Sequence, residues 1–254
     1  MGNDMKTLND YFQEIHCINL DKRTDRWEEC LSEFNKHNLK VNRFSAVSGK
    51  EVDTIPGLTE GQTGAVFSHK KLIQHAKDNS LENILILEDD VEFDENLNSR
   101  FFELIDRVPD DWDMLYFGGN HKANNPYCRG ILKKVDDNVF RVTNCLAIHA
   151  YAIRKNIYDE ALSSFKGRPA DDSLVELQYN INCYIIRPHL AWQRPSYSDI
   201  AEIFTHYIGL KEDKAFVEGR PFGVEALKRD DVRDKLDPYW QKIYDKQKES
   251  GHHY

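Results

Sequence analysis

No stretch of this chain approaches the roughly 20 consecutive apolar residues that a membrane-spanning helix needs. The amino terminus, Met1-Gly2-Asn3-Asp4-Met5-Lys6, lacks the apolar core of a secretory signal, and Lys6 stands where a myristoylation signal has Ser or Thr. A cytoplasmic location without a transmembrane segment is therefore expected, with peripheral membrane contact left open. Cationic excess is missing too: a net charge of -9 argues against a general nucleic-acid binder, which needs a basic face to neutralise phosphates. Cysteine is sparse. The five present, Cys17, Cys30, Cys128, Cys145 and Cys183, are odd in number and form no C-x-x-C pair, so they suggest neither a disulfide framework nor a zinc site. There is no internal repeat and no low-complexity segment, and 254 residues suffice for one large α/β domain or two small ones.

What the chain does have is the run Ile84-Leu85-Ile86-Leu87-Glu88-Asp89-Asp90-Val91-Glu92-Phe93, where four apolar residues deliver three consecutive carboxylates to one point. Like charges side by side repel, and each is costly to desolvate alone. Such a cluster holds a cation, keeps one member protonated, or faces water as an ordinary solvated turn.

The elements around it alternate. Glu14 to Leu20 reads as a strand, followed by the polar turn Asp21-Lys22-Arg23-Thr24. A helix follows, with Asp25 and Glu28 at capping-box spacing and Trp27, Cys30, Leu31 and Phe34 on one face. A short strand is expected over Leu39 to Phe44, a Gly/Pro-marked loop to Gly64, a helix over Ala65 to Lys77 and a strand over Asn83 to Leu87. Leu97, Phe101, Leu104, Ile105 and Val108 form the apolar face of a further helix before a strand at Met114 to Phe117 that ends in Gly118-Gly119. This alternation predicts an α/β fold with a mostly parallel central sheet, whose ligands bind beyond the carboxyl ends of the strands. After Gly119 the pattern turns mixed: a hairpin over Ile131 to Val135 and Val139 to Val142, an apolar stretch Leu146 to Ile153, a helix Asp171 to Asn180, a strand Cys183 to Ile186 and a loop Gln193 to Ile200. From Lys211 onward the sequence is dense in charge.

Four segments, in order, resemble glycosyltransferase family 25, the group of lipooligosaccharide and collagen galactosyltransferases. They are Ile18-Asn19-Leu20-Asp21 with Arg23, Asp25 and Arg26; Gly64-Ala65-Val66-Phe67-Ser68-His69; Ile86-Leu87-Glu88-Asp89-Asp90-Val91; and Gln193-Arg194-Pro195 with Ser198-Asp199-Ile200. The resemblance implies a GT-A-type fold: one catalytic domain over residues 1–210, with a donor-binding half at 14–119 and an acceptor-side half at 120–210, and a charged extension at 211–254. It also implies transfer of galactose or glucose from UDP-galactose or UDP-glucose, with Mn²⁺ or Mg²⁺, to a glycan or a hydroxylated peptide side chain. Such transfer requires neutralisation of a departing diphosphate, which a hard cation held by one or two carboxylates provides.

By the same resemblance, Asp90 is the direct metal ligand and Asp89 its neighbour toward metal-bound water or ribose, with Glu88 structural; His149 or His206 completes the metal shell. Asn19, Leu20, Arg23, Arg26, Ser68 and His69 fall on the donor side. From the residues alone, Arg23 and Arg26 read equally as surface pairs with Asp21, Asp25 or Glu29, and His69 as a packed helix residue. Asp171 and Asp172 supply a candidate general base, or alternatively begin a helix. Trp112, Trp192 and Tyr197 offer stacking faces for an acceptor sugar or belong to the core. Two other classes remain: a non-catalytic nucleotide-sugar or glycan-binding module on the same fold, and a Mg²⁺-dependent phosphotransfer protein. The second fits less well, because the alternate positions read Glu88/Asp90 and Asp90/Glu92 instead of Asp-x-Asp.

Overall fold

The apolar run at Ile84 to Leu87 becomes a strand buried on both faces, and the rest of the molecule is arranged around it. The computed structural model describes residues 6–121, 132–198, 200 and 203–205. β1 (Glu14–Asn19) passes through a tight turn into α1 (Thr24–Lys36), and β2 (Asn42–Ser45) lies parallel beside β1. α2 (Glu60–Asp78) leads to β3 (Asn83–Glu88) and the short β4 (Val91–Phe93), and α3 (Leu97–Leu104) leads to β5 (Met114–Tyr116). β6 (Asn120–His121), β7 (Leu132–Lys134), β8 (Val139–Val142), β9 (Cys145–Leu146) and β10 (Ala150–Arg154) follow. Then come α4 (Tyr158–Ser164), α5 (Ala170–Gln178), β11 (Cys183–Ile186), β12 (Ala191–Gln193), β13 (Ser196–Ser198) and β14 (Ile203–Thr205).

The central sheet has eight strands in the order β2-β1-β3-β10-β5-β11-β8-β7. β2, β1, β3, β5, β11 and β7 run one way, while β10 and β8 run against them. This is the expected α/β architecture with a mainly parallel frame. β10 comes from the second half of the chain yet sits between β3 and β5, so both halves build one continuous sheet. Side chains alternate across β3: Leu85 and Leu87 join the core under α1 and α3, Ile84 and Ile86 the core under α2, α4 and α5. Each such fully buried side chain is worth about 1.5–3 kcal/mol.

Several local expectations need correction. α1 has Arg23 at its N-cap and no capping box; Asp25 instead pairs with Arg23. Its buried face carries Arg26, Cys30, Glu33 and Phe34, while Leu31 is exposed. The capping box lies one helix later, where Thr59 and Gln62 open α2 five residues before the expected start at Ala65. The segment read as a loop from Gln193 includes two short pairings, β12 with β4 and β13 with β14. Gly118 has a packing reason, because a Cβ there would lie 1.9 Å from the Ala191 carbonyl oxygen. Ile131, Asp199, His206 and the 211–254 extension lie outside the described residues.

Glu33 is the buried acid that ties α1 to the strand following the acidic run. Its Oε1 accepts from the Phe93 N–H at 2.9 Å and its Oε2 from Lys36 Nζ at 2.6 Å, with His37 Nε2 at 3.6 Å. Burial alone would push this carboxyl up, but those contacts outweigh it and set the pKa at about 2 against 4.5 for a free glutamate. A depressed carboxyl stabilises the fold above its unfolded value and loses that contribution as pH falls through the folded one. Glu33→Gln is therefore expected to cost up to about 3 kcal/mol at pH 7 and much less near pH 2, read from urea midpoints across that range.

Candidate functional site

The parallel register of β1 on β3 places Ile18 beside Glu88, so the chain leaves both strands at the same edge, with Asn19 against Asp89. Asn19 Nδ2 donates to Asp89 Oδ2 at 2.7 Å and to the Arg23 carbonyl at 3.1 Å. Its Oδ1 accepts from Arg43 Nε at 2.8 Å and Nη2 at 2.6 Å. Arg26, buried on α1, donates from Nη1 to Asp89 Oδ1 and from Nη2 to Ser196 Oγ at 2.8 Å. Both Asp89 oxygens are thus held by protein donors.

The backbone of the acidic turn is held equally firmly. Arg194 donates to the carbonyls of Asp89 and Val91, each at 2.8 Å, its own N–H donates to the Asp90 carbonyl at 2.7 Å, and it pairs with Glu29 at 3.0 Å. The Cys30 thiol adds a contact to the Asp89 carbonyl at 3.2 Å.

Asp90 is treated differently. Its Oδ2 has only Gln193 Nε2 at 3.3 Å, and its buried Oδ1 has no hydrogen-bond partner. Burial, reinforced by the charges of Glu88 and Asp89, pushes this carboxyl up to about 7. Asp89 is also raised, by burial foremost, although Arg26 and Asn19 pull it down. For Glu88, burial pushes up but the His69 hydrogen bond prevails and holds it below the usual range. A buried carboxylate oxygen without a donor, beside further negative charge, is an environment that a divalent cation would complete.

His69, buried on α2, joins Tyr151 Oη at 3.1 Å to Glu88 Oε1 at 3.2 Å and stacks on the Tyr151 ring. Ser68 is tied to the backbone: its hydroxyl donates to the Gly64 carbonyl at 2.7 Å and accepts from the Val47 N–H at 2.8 Å. Arg23 is in a bidentate pair with Asp25, whose carboxyl it lowers to about 2, and Leu20 contributes its carbonyl to the Arg23 N–H at 2.8 Å. His149 is fully buried, with Nε2 against the Ala191 carbonyl at 3.2 Å and Nδ1 unpartnered; burial lowers its pKa to about 4, leaving a neutral ring.

Asp89, Asp90 and His149 do not converge. Among the described residues, the group of acid and imidazole ligand atoms gathered within 4.8 Å is Glu14, His16 and His75, at the far end of β1. Asp171 and Asp172 lie in the first turn of α5, where Asp171 Oδ1 accepts from the Asp172 N–H at 3.0 Å; the N-cap position is Pro169. Trp112 and Trp192 are buried rather than presented to solvent. Sequence reasoning did not single out Arg43, which carries no local motif, and quoted Tyr151 and Arg194 only as parts of segments.

Residues 12–126 match the model of glycosyltransferase family 25, described as an LPS biosynthesis protein. Over this stretch the chain is similar to glycosyltransferase family 25. The family 25 match takes in β1, the Gly64 to His69 segment and the acidic turn, and ends before the Gln193 to Ile200 segment. Among curated relatives, human procollagen galactosyltransferase 2 is 30% identical over 129 residues, which is 42% of this chain and 21% of that protein. Human inactive glycosyltransferase 25 family member 3 is 29% identical over 137 residues, 45% of this chain and 23% of its own length. The matches therefore span about a fifth of those relatives. Among solved structures, a glycosyltransferase involved in glycosylation of the major capsid of PBCV-1 superimposes with a TM-score of 0.44 at 12% identity, covering 80% of this chain and 98% of that one. No helix among the described residues is long and apolar enough to cross a membrane.

Proposed function

We propose that this chain is a family 25 glycosyltransferase that moves a hexose, galactose or glucose, from a UDP-sugar to a saccharide or hydroxylated side chain with the help of Mn²⁺ or Mg²⁺. The observation that carries the reading is Asp90: a buried carboxylate oxygen with no donor, at the carboxyl end of a central strand, in a turn whose other groups are fully engaged. A divalent ion bound there would neutralise charge on the leaving diphosphate. Asp90 is its protein anchor in this account, while His149, neutral and buried, does not converge on Asp90 and is given no part in holding the ion.

The remaining residues position. Arg26 and Asn19 clamp Asp89 so that the turn points Asp90 in one direction, and Arg194 fixes the turn's carbonyls. Asp89 thus acts as a keystone between β1, α1 and β3, which assigns it a different task from direct ligation. His69 holds Glu88 away from Asp90 and limits the repulsion between them. Arg23, drawn toward Asp25, can swing to a diphosphate if that exposed pair opens, since such pairs are worth under about 1 kcal/mol. If the sugar inverts, Asp171 or Asp172 takes the acceptor proton.

A non-catalytic reading has one observation behind it, since family 25 includes proteins named inactive that resemble this chain as closely as the galactosyltransferases do. Incubation with UDP-galactose or UDP-glucose, Mn²⁺ and a panel of saccharide and hydroxylated-peptide acceptors separates the two. Mn²⁺-dependent UDP release from one donor is expected. Intact donor binding without hydrolysis or transfer would establish the binding module, and a trapped aspartyl-phosphate would indicate phosphotransfer.

A further inference from the structure

Far from the acidic turn, at the start of β1, two imidazoles and a carboxylate face one another. Glu14 and His16 are two apart on the strand and so project to the same side, toward the last turn of α2, which carries His75. Glu14 Oε2 is 2.5 Å from His16 Nε2 and 3.1 Å from His75 Nε2. All three ligand atoms lie within 4.8 Å of one another. At about 3.3 Å per residue, the five-residue step from Glu14 to Asn19 puts this cluster roughly 16 Å from the proposed donor site.

We propose that Glu14, His16 and His75 form a second metal site, selective for a dication that favours imidazole, Zn²⁺ foremost, which pins β1 to α2. Two imidazoles and one carboxylate are a three-ligand set for zinc, with water in the fourth position. A tetrahedral ion with bonds of about 2.1 Å spaces its ligand atoms about 3.4 Å apart, so the two contacts to Glu14 need lengthen by less than about 1 Å to admit it. Both rings already turn the same nitrogen, Nε2, to a common point, with His16 and His75 edge to face at 5.2 Å between centroids.

One feature outside the ligand set favours a cation there. His75 lies in the last turn of a 19-residue helix, where the aligned peptide dipoles present partial negative charge. Asn79 Nδ2 lies 3.2 Å from His75 Nδ1 and donates to the His75 carbonyl at 2.9 Å, which fixes the end of the helix that carries this ring. His16 is buried, which holds its ring in place, whereas Glu14 and His75 keep partial access to solvent, leaving a route for the ion.

Pinning these elements has a consequence at the other end of each: β1 ends in Asn19, which holds Asp89, and α2 carries His69, which holds Glu88. The inference does not depend on the sugar-transfer reading. It is tested by titrating the EDTA-treated full chain with Zn²⁺ alone, in a His252→Ala/His253→Ala background that removes the terminal histidine pair as a rival. One Zn²⁺ per chain at micromolar or tighter affinity is expected, with a rise in melting temperature. His75→Ala and Glu14→Gln should each weaken Zn²⁺ at least 100-fold with unchanged circular dichroism, while Asp90→Ala should leave it unaltered. Absence of Zn²⁺ binding, or binding that His75→Ala and Glu14→Gln do not weaken, would overturn the proposal.

Discussion

Replacing Arg26 with alanine is expected to destabilise the fold by about 3–5 kcal/mol, the cost of leaving a buried charge without its partner. Asp89 would keep Asn19, and Arg194 would still hold its backbone carbonyl, but no cation would face its carboxylate oxygens. The pH dependence identifies the cause. Burial already raises the Asp89 carboxyl with Arg26 present, and without the guanidinium it rises further. Proton uptake then relieves the stranded charge, so the loss is largest in alkaline solution and smaller in mild acid. Urea unfolding at pH 5 and pH 8 checks this, and Asp89→Asn in the Arg26→Ala background should recover part of the loss at pH 8. A deficit independent of pH, with no recovery in the double variant, would mean that Arg26 acts only through packing.

Asp90→Asn is expected to do the opposite in the metal-free protein. Its carboxyl rises from 3.8 to about 7 on folding, because burial and the neighbouring acids disfavour the charged form. The folded state therefore holds a proton that the unfolded state has lost, and stability declines as pH rises from about 4 to 7 before levelling. The shift corresponds to a ceiling of about 4 kcal/mol at pH 8, of which relaxation around the site leaves roughly half. Asparagine removes that penalty while keeping the shape. Asp90→Asn should thus unfold at higher urea than the parent at pH 8, and at a similar concentration at pH 4. A group that weakens its own fold when charged is characteristic of a site shaped for a ligand.

How far the residues themselves predicted this arrangement differs from one place to the next. β3 was legible because four successive apolar side chains cannot be left in water, and its acidic end follows from where the run stops. The α1 face was misjudged because two of its buried members, Arg26 and Glu33, are charged residues whose partners, Asp89 and the Phe93 N–H, lie 63 and 60 residues away. Local periodicity treats such residues as solvent-facing. The same limit hid Arg43 and the partner of Tyr151, since both contacts exist only once β2 and β10 flank the central strands. The short pairings β12–β4 and β13–β14 are set by tertiary context, since runs of three residues carry no periodicity of their own. Ser68 and His69 were found as a pair, yet only the folded chain separates them: the serine holds a loop, the histidine holds an acid of the triplet.

The central claim is that Asp90 anchors the cation through which a nucleotide diphosphate binds. Calorimetric titration of UDP into the parent and Asp90→Ala proteins, each with Mn²⁺ and with EDTA, tests it most directly. UDP should bind the parent only with Mn²⁺, and Asp90→Ala should lose that binding by at least 100-fold with its circular dichroism unchanged. Undiminished Mn²⁺-dependent UDP binding by Asp90→Ala would contradict the account.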